Sequence, residues 1–103
     1  MTEKIRLLMV DDSEFFAEMT ASTLSEEHGM TTFWETSAED ALAVLADTEI
    51  DCIVSDYEMP GANGLELMAM VTERHGDMPF ILLTGRGDEG IASKAIAAGV
   101  SDY

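Results

Sequence analysis

The sequence predicts an α/β domain built on a parallel sheet, and three observations carry that prediction. Short apolar runs alternate with stretches of helical periodicity along the 103-residue chain. The runs are continuous rather than alternating polar and apolar, as in strands buried on both faces. Glycine, proline and capping residues separate the segments. The resulting order, β-α-β-α-β-α-β-α, packs as a parallel sheet with right-handed crossovers and helices on both faces.

The elements follow in order. Ile5 to Val10 is apolar except for Arg6 and reads as the first strand, stopped by Asp11-Asp12-Ser13, which also offer helix caps. A helix is expected from Ser13 or Glu14 to about His28, with Phe16, Met19, Thr20, Thr23 and Leu24 on its inner face and Gly29 as its stop. Thr31 to Trp34 is β-branched and aromatic, hence the second strand. Ser37 caps a second helix whose Ala38, Ala41, Leu42 and Leu45 share one face. Ile50 to Ser55 is the third strand. Asp56 to Asn63 is a loop rich in turn residues, Pro60, Gly61 and Asn63-Gly64. The third helix spans Leu65 to about His75, the fourth strand Phe80 to Leu83, and the fourth helix Ile91 to Ala98 with Gly99 after it.

The totals narrow the functional classes. The length fits one domain, residues 1–103, and 47% hydrophobic residues suffice for a modest core. No apolar run reaches membrane-span length and no secretory leader is visible, so a cytoplasmic location without a membrane partner is expected. Twenty-one acidic residues against five Lys and Arg give a net charge of −16. That balance excludes a nucleic-acid surface in this domain, because phosphate binding needs basic side chains. It suits a halophilic source, where near-molar salt shortens the Debye length to about 3 Å. Cys52, the sole cysteine, is expected to be a buried structural thiol. The eight Met read mainly as core filler and Trp34 as partly buried structure. His28 and His75 fall near helix C-termini, where a dipole contact is the expected role.

The informative pattern is where the strands end. The first runs into Asp11-Asp12, the third into Asp56 and the fourth into Thr84-Gly85. In parallel α/β sheets, ligands bind beyond the carboxyl ends of the strands, where strand order reverses. Asp11, Asp12, Asp56 and Thr84 therefore converge on one edge. Asp51 precedes the third strand and lies about 16 Å away at roughly 3.3 Å per residue. Two carboxylates about 4 Å apart repel by on the order of 4 kcal/mol at an effective dielectric near 20. Such a cluster persists when protonated, hydrated or bridged by a cation, and oxygen ligands suit Mg²⁺. A carboxylate beside that ion is a competent nucleophile toward phosphorus. Thr84 can donate to a phosphoryl oxygen, and Gly85 leaves room for the group. Each element alone has a plainer reading: Asp-Asp-Ser as a helix cap, Asp56 as a turn residue, Thr84-Gly85 as an unremarkable loop. Their coincidence at three strand ends is the specific signal.

Val10-Asp11-Asp12, Ser55 to Gly61, Asn63-Gly64, Pro79 to Gly85 and Ala97 to Tyr103 together resemble a response-regulator receiver domain of two-component signalling. The resemblance covers the whole chain. It implies a flavodoxin-like doubly wound sheet of order 2-1-3-4-5. It implies that Asp56 accepts a phosphoryl group from a sensor histidine kinase, as a signalling phosphoacceptor rather than an enzyme with an external substrate. It further implies that Asp12, Asp56 and the main-chain carbonyl of Glu58 bind Mg²⁺, with Asp11 acting through a water on the ion. Thr84 and Tyr103 match the family's switch pair, which reshapes the surface of the fourth helix and fifth strand. The implied partners are the kinase, a downstream output domain or protein, and a second copy of the chain as a homodimer.

One departure stands out. The family carries a Lys three residues beyond the switch aromatic, whereas Tyr103 is the last residue here. The expectation is a truncated sequence, with most of strand 5 and the last helix missing. Lys94 sits mid-helix and is no substitute. Arg86 and the Glu58 side chain are expected near the mouth of the site, where they tune phosphoryl lifetime. Three rival readings fit the sequence less well or differ in one point. A haloacid-dehalogenase-type hydrolase places Asp-x-Asp after its first strand, unlike the adjacent acids here. A flavin-binding flavodoxin needs phosphate donors where Asp11-Asp12 would repel. A receiver-fold interaction module that is not phosphorylated is opposed by the complete acidic set and favoured by the absent Lys.

Overall fold

The computed structural model describes residues 4–83. The elements run β1 (Arg6–Val10), α1 (Glu14–His28), β2 (Thr31–Glu35), α2 (Ala38–Asp47), β3 (Cys52–Asp56), α3 (Gly64–His75) and β4 (Phe80–Leu83). The four strands form one parallel sheet in the order β2-β1-β3-β4. This is the expected flavodoxin-like order as far as the described residues extend. The fourth helix and fifth strand lie outside them. Among the described residues, no helix is long and apolar enough to cross a membrane.

Alternate residues of β1 feed opposite faces of the sheet, as the continuous apolar run required. Leu8 and Val10 join Ile53, Leu67, Met68, Val71, Phe80 and Leu82 in the larger core beneath α2 and α3. Leu7 and Met9 join Ala17 and Val54 in a smaller core beneath α1, with Trp34 and Cys52 packed at its margin. Cys52 is thus half-buried rather than fully enclosed, and burial followed by the nearby Asp51 charge pushes its thiol upward.

The inner face of α1 differs from the expected one. Ala17 and Ala21 are its buried residues and Leu24 packs at the margin of the core, whereas Phe16 is 41% and Met19 48% exposed. Phe15 is also exposed, and Thr23 faces solvent. Small side chains let the helix lie close to the sheet, so the aromatic residues stand outside that contact. Boundaries shift by one or two residues elsewhere. β3 begins at Cys52 rather than Ile50 and includes Asp56. α3 begins at Gly64, because Asn63 is its N-cap rather than a simple turn residue. Ser13 and Ser37 cap α1 and α2 as expected, and His28 and His75 occupy last turns.

Candidate functional site

The carboxyl ends of β1 and β3 bring the three predicted acids together. β1 pairs with β3 through Leu7–Cys52 to Val10–Ser55, so Asp11 and Asp56 follow at the same level. Asp11, Asp12 and Asp56 each offer a carboxylate oxygen, and these oxygens lie within 4.8 Å of one another. Asp11 is buried, Asp56 is half-buried and Asp12 is exposed, so the cluster opens to solvent on one side. Beside Asp12 and Asp56 is an open depression of about 540 Å³, lined also by Tyr57, Glu58, Met59, Pro60, Gly61 and Asn63.

Local hydrogen bonds fix Asp11 and the main chain around Asp56. The Asp11 N–H donates to the Glu35 carbonyl at 3.1 Å, extending the β1–β2 ladder past the strand. The Asp11 carboxylate accepts from the Ser13 N–H at 2.8 Å, and the Ser13 hydroxyl accepts from the Phe16 N–H at 3.3 Å. The same tripeptide therefore starts α1 and aims Asp11 inward. The neighbouring backbone N–H groups of Glu58 and Tyr57 favour the ionised Asp56 carboxylate and offset part of the effect of its burial. The Ser55 hydroxyl donates to the Asp56 carbonyl at 2.9 Å, and the Tyr57 N–H donates to Leu83 O at 2.9 Å. The far end of the loop is closed by a reciprocal cap: Asn63 Oδ1 accepts from Glu66 N–H, and Glu66 Oε1 accepts from Asn63 N–H, both at 2.9 Å.

The electrostatics are unfavourable to three ionised acids. Burial, then repulsion from Asp11 and Asp12, raises the Asp56 carboxyl above its ordinary value. Burial likewise raises Asp11, opposed by the Ser13 N–H and reinforced by Asp12. Among the described residues, the ion pairs are those of Arg6 with Glu49 and Asp51 at the other end of the sheet. A hard divalent cation would relieve this repulsion, and the all-oxygen donor set of Asp11, Asp12 and Asp56 suits Mg²⁺ better than a soft metal. These residues fit the ion on donor type, proximity and charge.

Glu58 is exposed on the rim of the depression, where the sequence placed it. Thr84, Arg86, Lys94 and Tyr103 lie outside the described residues. Two features escaped the sequence reading. The Asn63–Glu66 capping box carries a legible signature, Asn-x-x-Glu ahead of an apolar run. The burial of Gly64 against the end of β3 carries none.

Comparison with known proteins agrees with this architecture. The family description "Response regulator receiver domain" matches residues 7–103. The transcriptional regulatory protein FixJ of Azorhizobium caulinodans is 34% identical over 103 residues, covering 100% of this chain and 48% of FixJ. The phosphate regulon transcriptional regulatory protein PhoB of Pseudomonas aeruginosa is 33% identical over 99 residues, covering 94% of this chain and 43% of PhoB. The chain thus spans about half the length of these curated relatives. Among solved structures, the signal receiver domain of an HD domain-containing protein from Pseudomonas fluorescens Pf-5 superposes with a TM-score of 0.88 at 29% identity, covering 98% of this chain and 81% of that one. The chemotaxis response regulator CheY4 of Vibrio cholerae gives a TM-score of 0.87 at 25% identity, covering 97% and 84%. With its parallel sheet, its strand-end acids and a family match over nearly its whole length, this chain belongs to the response regulator receiver domains of two-component signalling.

Proposed function

We propose that residues 1–103 act as one phosphoacceptor domain, taking a phosphoryl group from a sensor histidine kinase onto Asp56 in a Mg²⁺-dependent reaction. One observation carries the reading: three carboxylates from two strand ends lie within 4.8 Å of one another with no cationic side chain paired to them among the described residues. Asp56 is the acceptor because it stands half-buried beside the open depression, whereas Asp11 is buried. In the transfer, an Asp56 carboxylate oxygen attacks phosphorus. The O–P bond forms as the P–N bond to the donor histidine breaks, and that electron pair, with a proton, stays on the imidazole. Asp12, Asp56 and the Glu58 carbonyl would hold Mg²⁺, with Asp11 behind them. The bound ion supplies the positive charge that lets an anionic phosphoryl group approach an acidic edge.

Thr84 and Tyr103 are the proposed phosphate contact and switch aromatic, acting on the surface of the fourth helix and fifth strand. The output is a downstream domain or protein, and a second copy of the chain is a further proposed partner. The relatives named above as transcriptional regulators are about twice as long, so any DNA contact is assigned to another domain. A cytoplasmic setting follows from the kinase partner.

The test is intact mass after incubating the full-length protein with acetyl phosphate and Mg²⁺. A single phosphoryl adduct, absent in Asp56→Asn, is the expected result. An adduct persisting in Asp56→Asn moves the acceptor elsewhere. No adduct from the wild type, with acetyl phosphate or a kinase, leaves an interaction module that is not phosphorylated.

A further inference from the structure

We infer that Gly64 is a positioning residue for the Asp56 site, its missing side chain setting where the acceptor's main chain stands. The inference rests on the phosphoacceptor reading above. Gly64 is the first residue of α3 and is buried. A Cβ built on it would lie 2.6 Å from the Asp56 carbonyl oxygen, 2.6 Å from Leu82 Cδ1 and 3.1 Å from Tyr57 Cα. Approaches under 3.0 Å are essentially never seen for a real Cβ, so any side chain at this position requires something to move.

The need is for space and not for backbone conformation. Among the described residues the positive-φ glycines are Gly29, Gly61 and Gly76, and Gly64 is not one of them. Gly61, in the same loop, is the opposite case: φ is 81° and an added Cβ would meet nothing within 4 Å. The two glycines thus serve the loop differently, one by turning it and the other by letting the helix touch the strand end.

That touch controls the acceptor because the loop is closed across it. The Gly64 N–H donates to the Tyr57 carbonyl at 2.9 Å, tying the start of α3 to the residue after Asp56. Tyr57 and Glu58 directly follow Asp56 in the chain, and both line the depression beside its carboxylate. The obstacles also have little freedom. The Asp56 carbonyl accepts from the Ser55 hydroxyl, Tyr57 is bonded to Leu83, and Leu82 is fully buried. The helix is fixed by its Asn63–Glu66 cap and by Leu67, Met68 and Val71 in the core. An alanine at 64 therefore shifts the segment from Asp56 to Glu58 or lifts the first turn of α3, and both change the carboxylate's setting.

Mg²⁺ titration calorimetry and phosphoryl uptake from acetyl phosphate, on the full-length protein, test this. Gly64→Ala is expected to weaken Mg²⁺ binding and to slow uptake by about 100-fold, the scale of a 1 Å misplacement in a reacting geometry. Gly76→Ala, which strains the other end of the same helix in open space, is expected to lower the melting temperature while keeping wild-type Mg²⁺ affinity. The pair is repeated in a Leu82→Ala background, which removes the side-chain obstacle and leaves only the contact with the Asp56 carbonyl. This background also serves if Gly64→Ala alone does not fold. A loss of Mg²⁺ affinity from adding Gly64→Ala to Leu82→Ala supports the inference. Equal affinity in those two proteins, or wild-type affinity in a folded Gly64→Ala, overturns it. If the wild type itself neither binds Mg²⁺ nor takes a phosphoryl group, the phosphoacceptor reading has failed instead.

Discussion

Strand β3 has an aspartate at each end, and the two stand in opposite surroundings. Asp51, just before the strand, accepts from the Arg6 N–H at 2.8 Å and from its guanidinium at 3.2 and 3.3 Å. Glu49 takes the remaining side of the same guanidinium at 3.0 Å. Arg6 thereby holds Asp51 below the usual carboxylate value. Asp56, at the other end, meets two further carboxylates and is held above it, first by burial. One amino acid type on one strand is thus compensated at one edge and left uncompensated at the other. The uncompensated edge is where the β–α loops open, so it is the one where an external cation would relieve the repulsion.

The comparison can be broken most severely at Asp12. Asp12→Asn is expected to weaken Mg²⁺ binding by about 100-fold or more, since losing one carboxylate charge beside a divalent cation costs several kcal/mol even at a dielectric near 20. Calorimetric titration checks this, and a change of less than a few-fold would place the ion elsewhere.

A smaller effect appears in the metal-free protein as pH changes. Asp56 and Asp11 bind protons more tightly folded than unfolded, so their ionisation at neutral pH costs stability, and that cost disappears as pH falls toward 3.8. Asp56→Asn should therefore be more stable than wild type in EDTA at neutral pH. The advantage should shrink with acidification. Urea midpoints from neutral pH downward measure it, and a constant difference would contradict the assignment. Asp51 runs the other way: its contribution is present above 3.8 and is lost as pH falls through its lowered value.

The smallest effect belongs to the compensated edge. Asp51→Asn should lower the melting temperature slightly at low salt, and the difference should vanish as potassium chloride screens the exposed pair. The wild type, carrying −16, should itself melt higher in that series. A flat or falling wild-type curve would remove the halophilic reading.

The contrast was only half legible in the sequence. Apolar runs stopping at Asp11-Asp12 and Asp56 announced the acidic edge, because strand ends and burial leave a local pattern. The Arg6–Asp51 pair spans 45 positions and depends on the β1–β3 register, which no local pattern encodes. The inner face of α1 was misjudged because hydrophobicity favours Phe16 and Met19, whereas close packing on the sheet favours Ala17 and Ala21. The role of Gly64 was hidden for a similar reason: its sequence neighbours do not reveal that a strand-end carbonyl lies against its Cα.

The measurement that bears most directly on the two edges is the melting temperature with and without saturating Mg²⁺, in wild type, Asp56→Asn and Asp51→Asn at constant ionic strength. Specific binding at 100 times Kd stabilises by about 2.7 kcal/mol, or roughly 10–20 °C for a domain of this size. The prediction is a full rise in wild type and in Asp51→Asn, and little or none in Asp56→Asn. An equal rise in all three would show that Mg²⁺ acts only as a general counterion, and the acidic edge would not be a cation site.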